Sequence, residues 1–165
     1  MQIVTGGQTG VDRAALDAAV ASGIDYGGWC PRGGWAEDYP NPPGVRAKFP
    51  QLKETPLADP AQRTAWNIRD SDAVLILVAD ADMSISAGTA LARQVAEREG
   101  KPTLVIDLSQ DEAVARANGW LEAQLARFGV GLRLGIGGPR ESEAPGIYNR
   151  AYVFLSALFR NQRTG

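Results

Sequence analysis

The chain has 165 residues, of which 19 are glycine, one is cysteine and none is histidine, and its formal net charge is −2. This length suits a single domain over residues 1–165, and 44% hydrophobic with 22% charged residues is typical of a folded globular protein. The composition excludes imidazole-based catalysis, histidine metal sites, intrachain disulfides and CxxC redox pairs. The chain shows no basic stripe, apolar leader or membrane-length apolar run, so we expect a cytoplasmic protein that binds neither nucleic acid nor membranes.

Hydrophobic periodicity, interrupted by glycine and proline, predicts strands that alternate with helices. The predicted elements are, in order, a strand over 2–5, a helix over 11–22, short strands over 26–29 and 52–55, a helix over 60–69, a strand over 73–78, a helix over 87–99, a strand over 103–107, a helix over 110–128, a strand over 132–136 and a helix from 146 to about 163. A long proline-rich loop covers residues 35–50. Alternation of this kind predicts an α/β fold with a parallel sheet covered by helices on both faces.

The first and last predicted helices carry the clearest local signals. Thr9 and Asp12 suit a capping box at the start of the first helix, and Gly23 suits its end. Its inner face is made of Val11, Ala14, Ala15, Ala18 and Ser22. The last helix has one apolar stripe of Ile147, Ala151, Phe154 and Leu158 and another of Tyr148, Tyr152, Leu155 and Phe159. Such a helix either lies under another element or contacts another subunit, and we favour a homodimer or larger homo-oligomer.

The segments that follow the clear strands are rich in glycine and polar residues. They are residues 6–10, 80–89, 107–111 and 137–142. Ligands of open parallel sheets bind beyond the carboxyl ends of the strands. We therefore expect these segments to gather at one edge of the sheet and to form a binding site there.

The segment after the first strand, Gly6-Gly7-Gln8-Thr9-Gly10, is a candidate anion site. It leads into a helix, where free backbone N–H groups and the positive end of the helix dipole favour a phosphate, and its glycines allow close approach to the backbone. It lacks the GK[ST] ending of a P-loop and does not match GxGxxG, which disfavours ATP hydrolysis of the P-loop type. The alternative is a tight turn between strand and helix.

A second turn of small residues precedes the helix that starts near residue 87. Within Ser84–Thr89, Ser86 is placed to cap that helix, while Gly88 and Thr89 offer N–H and hydroxyl donors to a ligand. The alternative is that capping alone accounts for these residues.

Three arginines stand where a phosphate or carboxylate is readily bound. Arg32 lies between a proline and a glycine, which constrain its backbone and aim its guanidinium, and Arg140 stands just before the last helix. Arg63, Asn67 and Asp70 share one face of a predicted helix, where they hold a ligand or lock the loops together. For each of them, an exposed side chain without a ligand is the alternative.

Several of these segments together resemble the molybdenum cofactor carrier proteins, the circularly permuted YpsA-like branch of the SLOG superfamily. The segments are GGQTGVDRA at 6–14, GWCPRG at 28–33, RT at 63–64, Asn67 with DSD at 70–72, GPRES at 138–142 and PGIY at 145–148. The resemblance spans nearly the whole chain. It implies one Rossmann-like, SLOG-type domain, a three-layer sandwich with a mostly parallel central sheet, a pocket for a phosphorylated, nucleotide-like or pterin ligand, and a homo-oligomer.

The resemblance leads us to expect a binding or carrier protein for an anionic phosphorylated cofactor, such as molybdenum cofactor (molybdopterin). The expected cofactor-binding residues are Gly6, Gly7, Gln8, Thr9, Gly10, Asp12, Arg32, Gly88, Thr89 and Arg140. We expect no set of metal ligands from the chain, which offers little beyond Cys30, since a dithiolene cofactor brings its own sulfur ligands.

Two alternative functions remain open. One is a nucleotide-processing enzyme that hydrolyses the N-glycosidic bond of a nucleoside monophosphate, as the related cytokinin-activating phosphoribohydrolases do. Those enzymes carry a catalytic glutamate three residues after the threonine of their glycine motif, whereas this chain has Ala92 at that place. Asp12 or Glu37 would have to replace it as the general base. The other alternative is a regulator that only senses a nucleotide.

Overall fold

In the computed structural model, which describes residues 1–80 and 86–162, strands and helices alternate along the chain. The strands are β1 (Gln2–Val4), β2 (Asp25–Gly27), β3 (Trp29–Cys30), β4 (Lys53–Glu54), β5 (Ala73–Val78), β6 (Thr103–Asp107) and β7 (Arg133–Gly137). The helices are α1 (Val11–Ala21), α2 (Pro60–Arg69), α3 (Ala87–Arg98), α4 (Ala113–Phe128) and α5 (Ile147–Asn161), with 3₁₀ turns at Arg32–Gly34, Gly44–Ala47 and Gly129–Gly131. The bounds of α2, β5 and β6 are those that the sequence predicted.

Five of the strands form the central sheet, in the order β2-β1-β7-β5-β6, and every pair within it is parallel. The six consecutive apolar residues of β5 are all buried because helices cover both faces of the sheet. Leu75 and Leu77 point into the larger core with α1, α4 and α5, whereas Val74 and Ile76 pack with α2 and α3. The predicted α/β fold with a Rossmann-like parallel sheet is confirmed.

The predicted strand over 26–29 is wrong in one respect, because the chain divides it between two sheets. β2 belongs to the central sheet, whereas β3 pairs with β4 in a separate two-stranded sheet. Gly28 makes the break with a φ of 126°, and a side chain there would place its Cβ only 2.3 Å from the carbonyl oxygen of Thr5. A strand pattern in the sequence does not reveal such a contact between distant segments.

The predicted capping box at α1 is also wrong. The helix starts after Gly10, whose φ is 74°, and no side chain caps it. The N–H of Val11 instead donates to the carbonyl oxygen of Pro139 at 3.2 Å, because the turn after β7 lies against this helix end. Thr9 and Asp12 are therefore available for contacts with other parts of the chain.

Helix α5 packs between α1 and α4, which accounts for both of its apolar stripes. Leu155 and Phe159 of the second stripe are fully buried inside the protomer, while Tyr148 and Tyr152 are partly buried with ring centroids 6.1 Å apart. The second stripe is thus explained without another subunit, and the homo-oligomer stays a prediction. None of the helices in the described part of the chain has the length and apolarity needed to cross a membrane.

The loop over residues 35–50, called the strap below, is fastened to α1. Arg13 donates to both carboxylate oxygens of Asp38, at 2.7 and 2.9 Å, and to the carbonyl oxygen of Gly7 at 3.2 Å. Its guanidinium also lies 5.2 Å from the ring centroid of Tyr39. Phe49, near the end of the strap, is buried in the core. The strap therefore braces the glycine turn after β1 from the outside.

Candidate functional site

Three of the predicted segments meet in one cleft on the α2 and α3 side of the sheet. The cleft encloses about 620 Å³, part of it open to solvent. It is lined by residues from the turn after β1, from the amino end of α3, and from the end of β7 with the turn that follows it. Residues 107–111 do not line it, and residues 81–85 of the predicted 80–89 segment lie outside the described residues. The lining residues used below are Gly6, Asp12, Arg63, Thr64, Asn67, Ser86, Gly88, Gly137, Arg140 and Glu143.

The space for the cleft comes from glycines in β7. Leu134 and Ile136 point into the core on the other face of the sheet, so Gly135 and Gly137 face the cleft without side chains. A Cβ on Gly137 would have no heavy atom nearer than Asp12 Oδ1 at 3.9 Å. This alternation, readable in the sequence as R-L-G-I-G, is the signal of a bare strip in the sheet that our sequence reasoning missed.

Arg63 of α2 and Asp12 of α1 form an ion pair inside the cleft. Arg63 Nη1 donates to Asp12 Oδ2 at 2.9 Å, and the two side chains are only 12% and 7% exposed. The guanidinium lies against Gly6, where a Cβ would come within 2.3 Å of Nη1. Arg63 Nε is buried and has no hydrogen-bond partner among the described residues. A buried donor without a partner carries a desolvation cost that a ligand acceptor would relieve.

Asp12 is an unusual carboxylate for a helix start, because it is almost fully buried. Burial raises its pKa above the ordinary value, although the Arg63 guanidinium and the Gln8 N–H both act to lower it. The Gln8 N–H donates to Asp12 Oδ2 at 3.3 Å. Asp12 is therefore a carboxylate that binds a proton more readily than an exposed aspartate does.

The amino end of α3 forms another wall of the cleft. Ser86 caps the helix as predicted, accepting from the Thr89 N–H at 3.2 Å, and the two hydroxyls lie 2.7 Å apart. Thr89 is thus occupied within the chain and does not line the cleft. Gly88 does line it, and a Cβ there would meet none of the described residues within 4 Å. Gly88 gives a ligand open access to the first turn of α3. Ser84 and Ile85 of the predicted turn lie outside the described residues.

The predicted glycine turn after β1 contributes less than expected. The Gln8 N–H bonds to Asp12, and the Thr9 N–H donates to Gln8 Oε1 at 3.0 Å, so neither amide is open to a ligand. Gly7 lies under Leu52 and does not line the cleft. Thr9 and Gly10 line a separate depression beside Arg13. From this turn, Gly6 and Gln8 line the cleft.

The structure separates the three predicted arginines. Arg63 and Arg140 line the cleft, and Arg140 Nε donates to Glu143 Oε1 at 2.9 Å at its rim. Arg32 is exposed and lines another depression, among tryptophan and proline side chains. The cleft and that depression share no lining residue, so Arg32 does not join the site that the sequence assigned to it.

The polar stripe on α2 serves two purposes. Arg63 faces the cleft, whereas Asn67 locks β3 in place by accepting from the Trp29 N–H at 2.8 Å and donating to the Trp29 oxygen at 2.9 Å. Asp70 lies beyond the cleft and accepts from Trp29 Nε1 at 2.6 Å. Loop locking thus applies to Asn67 and Asp70, whereas ligand contact by Arg63 stays a prediction.

Glu37, the other candidate acid, braces loops outside the cleft. It accepts from the hydroxyl of Thr9, and its other oxygen accepts from the hydroxyl of Ser142 at 2.7 Å. Partial burial acts to raise the pKa of Glu37, but the hydrogen bonds from Thr9 and Ser142 outweigh it and leave this pKa below its ordinary value. Glu37 is therefore held ionised in the strap and does not face a ligand in the cleft.

The amino end of α5 is filled by the chain itself. Glu141 accepts from the Gly146 N–H at 2.5 Å and from the Tyr148 N–H at 3.0 Å. A carboxylate thus already occupies the place where an anion would interact with this helix end.

The described residues offer no group of three or more histidine, cysteine or acidic side chains that would hold a metal ion. Cys30 is buried, with its Sγ 3.3 Å from the carbonyl oxygen of Lys53. Burial raises the pKa of this thiol to about 11, so it stays protonated and unreactive at neutral pH.

Comparisons with known proteins identify the family and the fold of this chain. A family model described as "Circularly permutated YpsA SLOG family" matches residues 3–159. The chain is similar to the crystal structure of a protein named "Putative molybdenum carrier protein" from Syntrophus aciditrophicus SB, with 37% sequence identity and a TM-score of 0.82. That similarity covers 95% of this chain and 93% of that chain. No curated protein matches the chain. The family resemblance indicated by the sequence is confirmed.

Proposed function

The chain belongs to the circularly permuted YpsA SLOG family, and on that premise we propose that it binds and carries a small ligand composed of a flat ring and a phosphate. The observation that carries the proposal is Arg63, a largely buried guanidinium whose Nε has no partner among the described residues and which lies in the floor of the cleft. Because Nε is covered by the chain, a phosphate would supply the acceptor that this donor lacks once the Arg63 side chain shifts toward the ligand.

The phosphate would lie between Arg63 and the first turn of α3. In that turn the Thr89 N–H is taken by Ser86, which leaves the N–H groups of Ala87 and Gly88, without an acceptor within the helix, at the positive end of its dipole. The bare backbone at Gly88 allows a phosphate to come close, whereas Gly6 is covered by Arg63, and Arg140 stands at the rim. Asp12 and Gln8 complete the contacts from the side of α1.

The sheet side of the cleft suits the ring of such a ligand. Val74 and Ile76 of β5 and Ile68 of α2 present apolar side chains beside the glycine strip of β7. The volume of the cleft that is comparable with such cavities is about 70 Å³, below the range of about 300–1,000 Å³ typical of small-molecule sites, so the ring would extend into the part of the cleft that is open to solvent. Molybdenum cofactor, whose pterin bears a phosphate, fits this division into apolar and anionic halves. As cargo it would retain its own dithiolene ligands to the metal.

A pterin assay tests the proposal directly. The protein is purified from a host that makes molybdenum cofactor, denatured and oxidised, and the released pterin is quantified by its fluorescence. We expect pterin with the wild-type protein and a large loss with Arg63→Gln. Protein that releases no pterin, yet binds nucleoside monophosphates through Arg63, would replace the cofactor with a nucleotide as the ligand.

A second function, hydrolysis of a nucleoside monophosphate at its N-glycosidic bond, is supported by Asp12. This carboxyl lines the cleft, and burial raises its pKa toward the range useful to a general acid or base. Incubation with a panel of nucleoside monophosphates, followed by chromatography, tests it. Repeated release of free base that Asp12→Asn abolishes would favour the enzyme, and no release beyond the buffer blank would favour the carrier.

A further inference from the structure

The ion pair in the cleft sets the cost of binding an anion. Arg63 is the group through which the cleft would hold a phosphate, yet its Nη1 already donates to Asp12 at 2.9 Å. Both side chains are mostly shielded from water, at 12% and 7% exposure. The positive charge that attracts a ligand is therefore already balanced by a carboxylate of the chain.

Among the described residues, Asp12 has no second cation within ion-pair distance to replace Arg63. Arg13, its neighbour on α1, is held by Asp38 at 2.7 Å and by Gly7. Arg140, in the turn after β7, is held by Glu143 at 2.9 Å. The remaining groups that face Asp12 are uncharged, namely the N–H of Gln8, the hydroxyl of Thr5 and the bare backbone of Gly137.

We propose that an anion entering the cleft takes over Arg63 and that Asp12 binds a proton in exchange. The inference rests on the proposed function, since it requires an anion at Arg63. A buried carboxylate that loses its counter-ion and gains a negative neighbour is strongly destabilised, and it neutralises instead of remaining charged. Burial already raises the pKa of Asp12 while Arg63 is in place, and loss of the Arg63 guanidinium would raise this pKa further.

The exchange gives the cleft a defined pH dependence. Asp12 is ionised before binding and protonated afterwards, so binding strengthens as the pH falls and weakens as it rises. Where one proton is taken up per anion, the affinity falls about tenfold for each pH unit. Below the pH at which the free protein already holds the proton, the dependence disappears.

Calorimetry with inorganic sulfate isolates this proton. Sulfate remains fully ionised throughout the working range, so it takes up no proton itself. The chain has no histidine, and burial raises the pKa of Cys30 to about 11, so neither an imidazole nor this thiol contributes to the proton uptake. Titrations at pH 6.5 to 7 in two buffers of different ionisation enthalpy then report the proton uptake of the wild-type protein without any variant.

Two isosteric variants complete the experiment. Asp12→Asn keeps an acceptor for the Gln8 N–H, and we expect it to bind sulfate without proton uptake and with an affinity that no longer changes with pH. Asp72→Asn is the matched control, because Asp72 pairs with Arg133 at 2.8 Å away from the cleft. This control is expected to take up as many protons as the wild-type protein.

Each outcome separates the inference from the proposed function. Sulfate that binds through Arg63 with no proton uptake overturns the exchange and leaves the anion site standing. An Asp12→Asn protein that binds sulfate more weakly than wild type at every pH also overturns it, since Asp12 would then position Arg63 instead of competing for it. Absence of sulfate binding to the wild-type and Asp12→Asn proteins at any pH contradicts both.

Discussion

Arg63 and Arg32 differ in burial, and this difference is the reason why the proposed anion site uses Arg63. Arg32 attracts attention in the sequence because proline and glycine flank it, yet its side chain is exposed on another surface. Arg63 has ordinary neighbours in α2, and only the fold places it against Gly6 with a buried, unpartnered Nε. The sequence indicated a polar stripe that contains Arg63, but it could not predict burial, which depends on segments distant along the chain.

Gly88 allows a residue-scale test of the anion position. It lies in the first turn of α3 with open space around it, so alanine fits without a clash. We expect Gly88→Ala to stabilise the protein by about 0.5–1 kcal/mol through its higher helix propensity, measured by urea unfolding. The same methyl group narrows the approach to the turn and should weaken phosphate binding severalfold. Increased stability with unchanged affinity would place the anion away from α3.

At the scale of elements, the sequence predicted strands and helices well where the signal is local. The continuous apolar run of β5 and the proline and polar face of α2 gave the observed bounds. Prediction from the sequence failed where a distant segment contacts the element. At Gly28 the backbone of Thr5 forces a break in the strand, and at Gly10 the carbonyl of Pro139 replaces a side-chain cap of the helix. The cleft depends on contacts of this second kind.

β7 gives an element-scale prediction. Valine suits a strand, and the Cβ at residue 137 has no neighbour closer than 3.9 Å, so Gly137→Val should fold with a stability within about 1 kcal/mol of wild type. Its methyl groups would project into the cleft and should reduce ligand affinity at least about tenfold. Gly119→Ala in α4, also in open space, serves as a control with unchanged binding. A Gly137→Val protein that binds normally would show that the ligand lies elsewhere.

The strap gives a prediction with a defined pH dependence. The hydrogen bond from Arg13 lowers the pKa of Asp38 in the folded protein. The ionised carboxylate therefore stabilises the fold above the unfolded-state pKa of about 3.9, and this stabilisation is lost as the pH falls through the lower folded-state pKa. Asp38→Asn should cost about 1–2 kcal/mol at pH 7, allowing for the 42% exposure of the carboxylate. Urea unfolding of the wild-type and Asp38→Asn proteins at pH 7 and near pH 2.5 measures this difference in the free energy of unfolding. A cost that persists at the lower pH would contradict this account.

At the scale of the whole molecule, the single domain, the cytoplasmic location and the homo-oligomer remain predictions. Val153 on α5 is 68% exposed and Val20 on α1 is 55% exposed, although both apolar stripes of α5 are largely buried within the protomer. Sedimentation velocity at micromolar concentration tests the homo-oligomer, for which we expect at least a dimer. A monomer of 17.6 kDa that persists at high concentration would contradict it.

The central claim is that an anion binds to this fold at Arg63, in the cleft between α2, α3 and the glycine strip of β7. The most direct measurement compares the dissociation constants of wild type, Arg63→Gln and Arg32→Gln for AMP by calorimetry at pH 6.5. We expect Arg63→Gln to lose about 1.5–3 kcal/mol, roughly 10- to 150-fold in affinity, and Arg32→Gln to bind like wild type. Equal affinities for wild type and Arg63→Gln, or a loss confined to Arg32→Gln, would contradict the account.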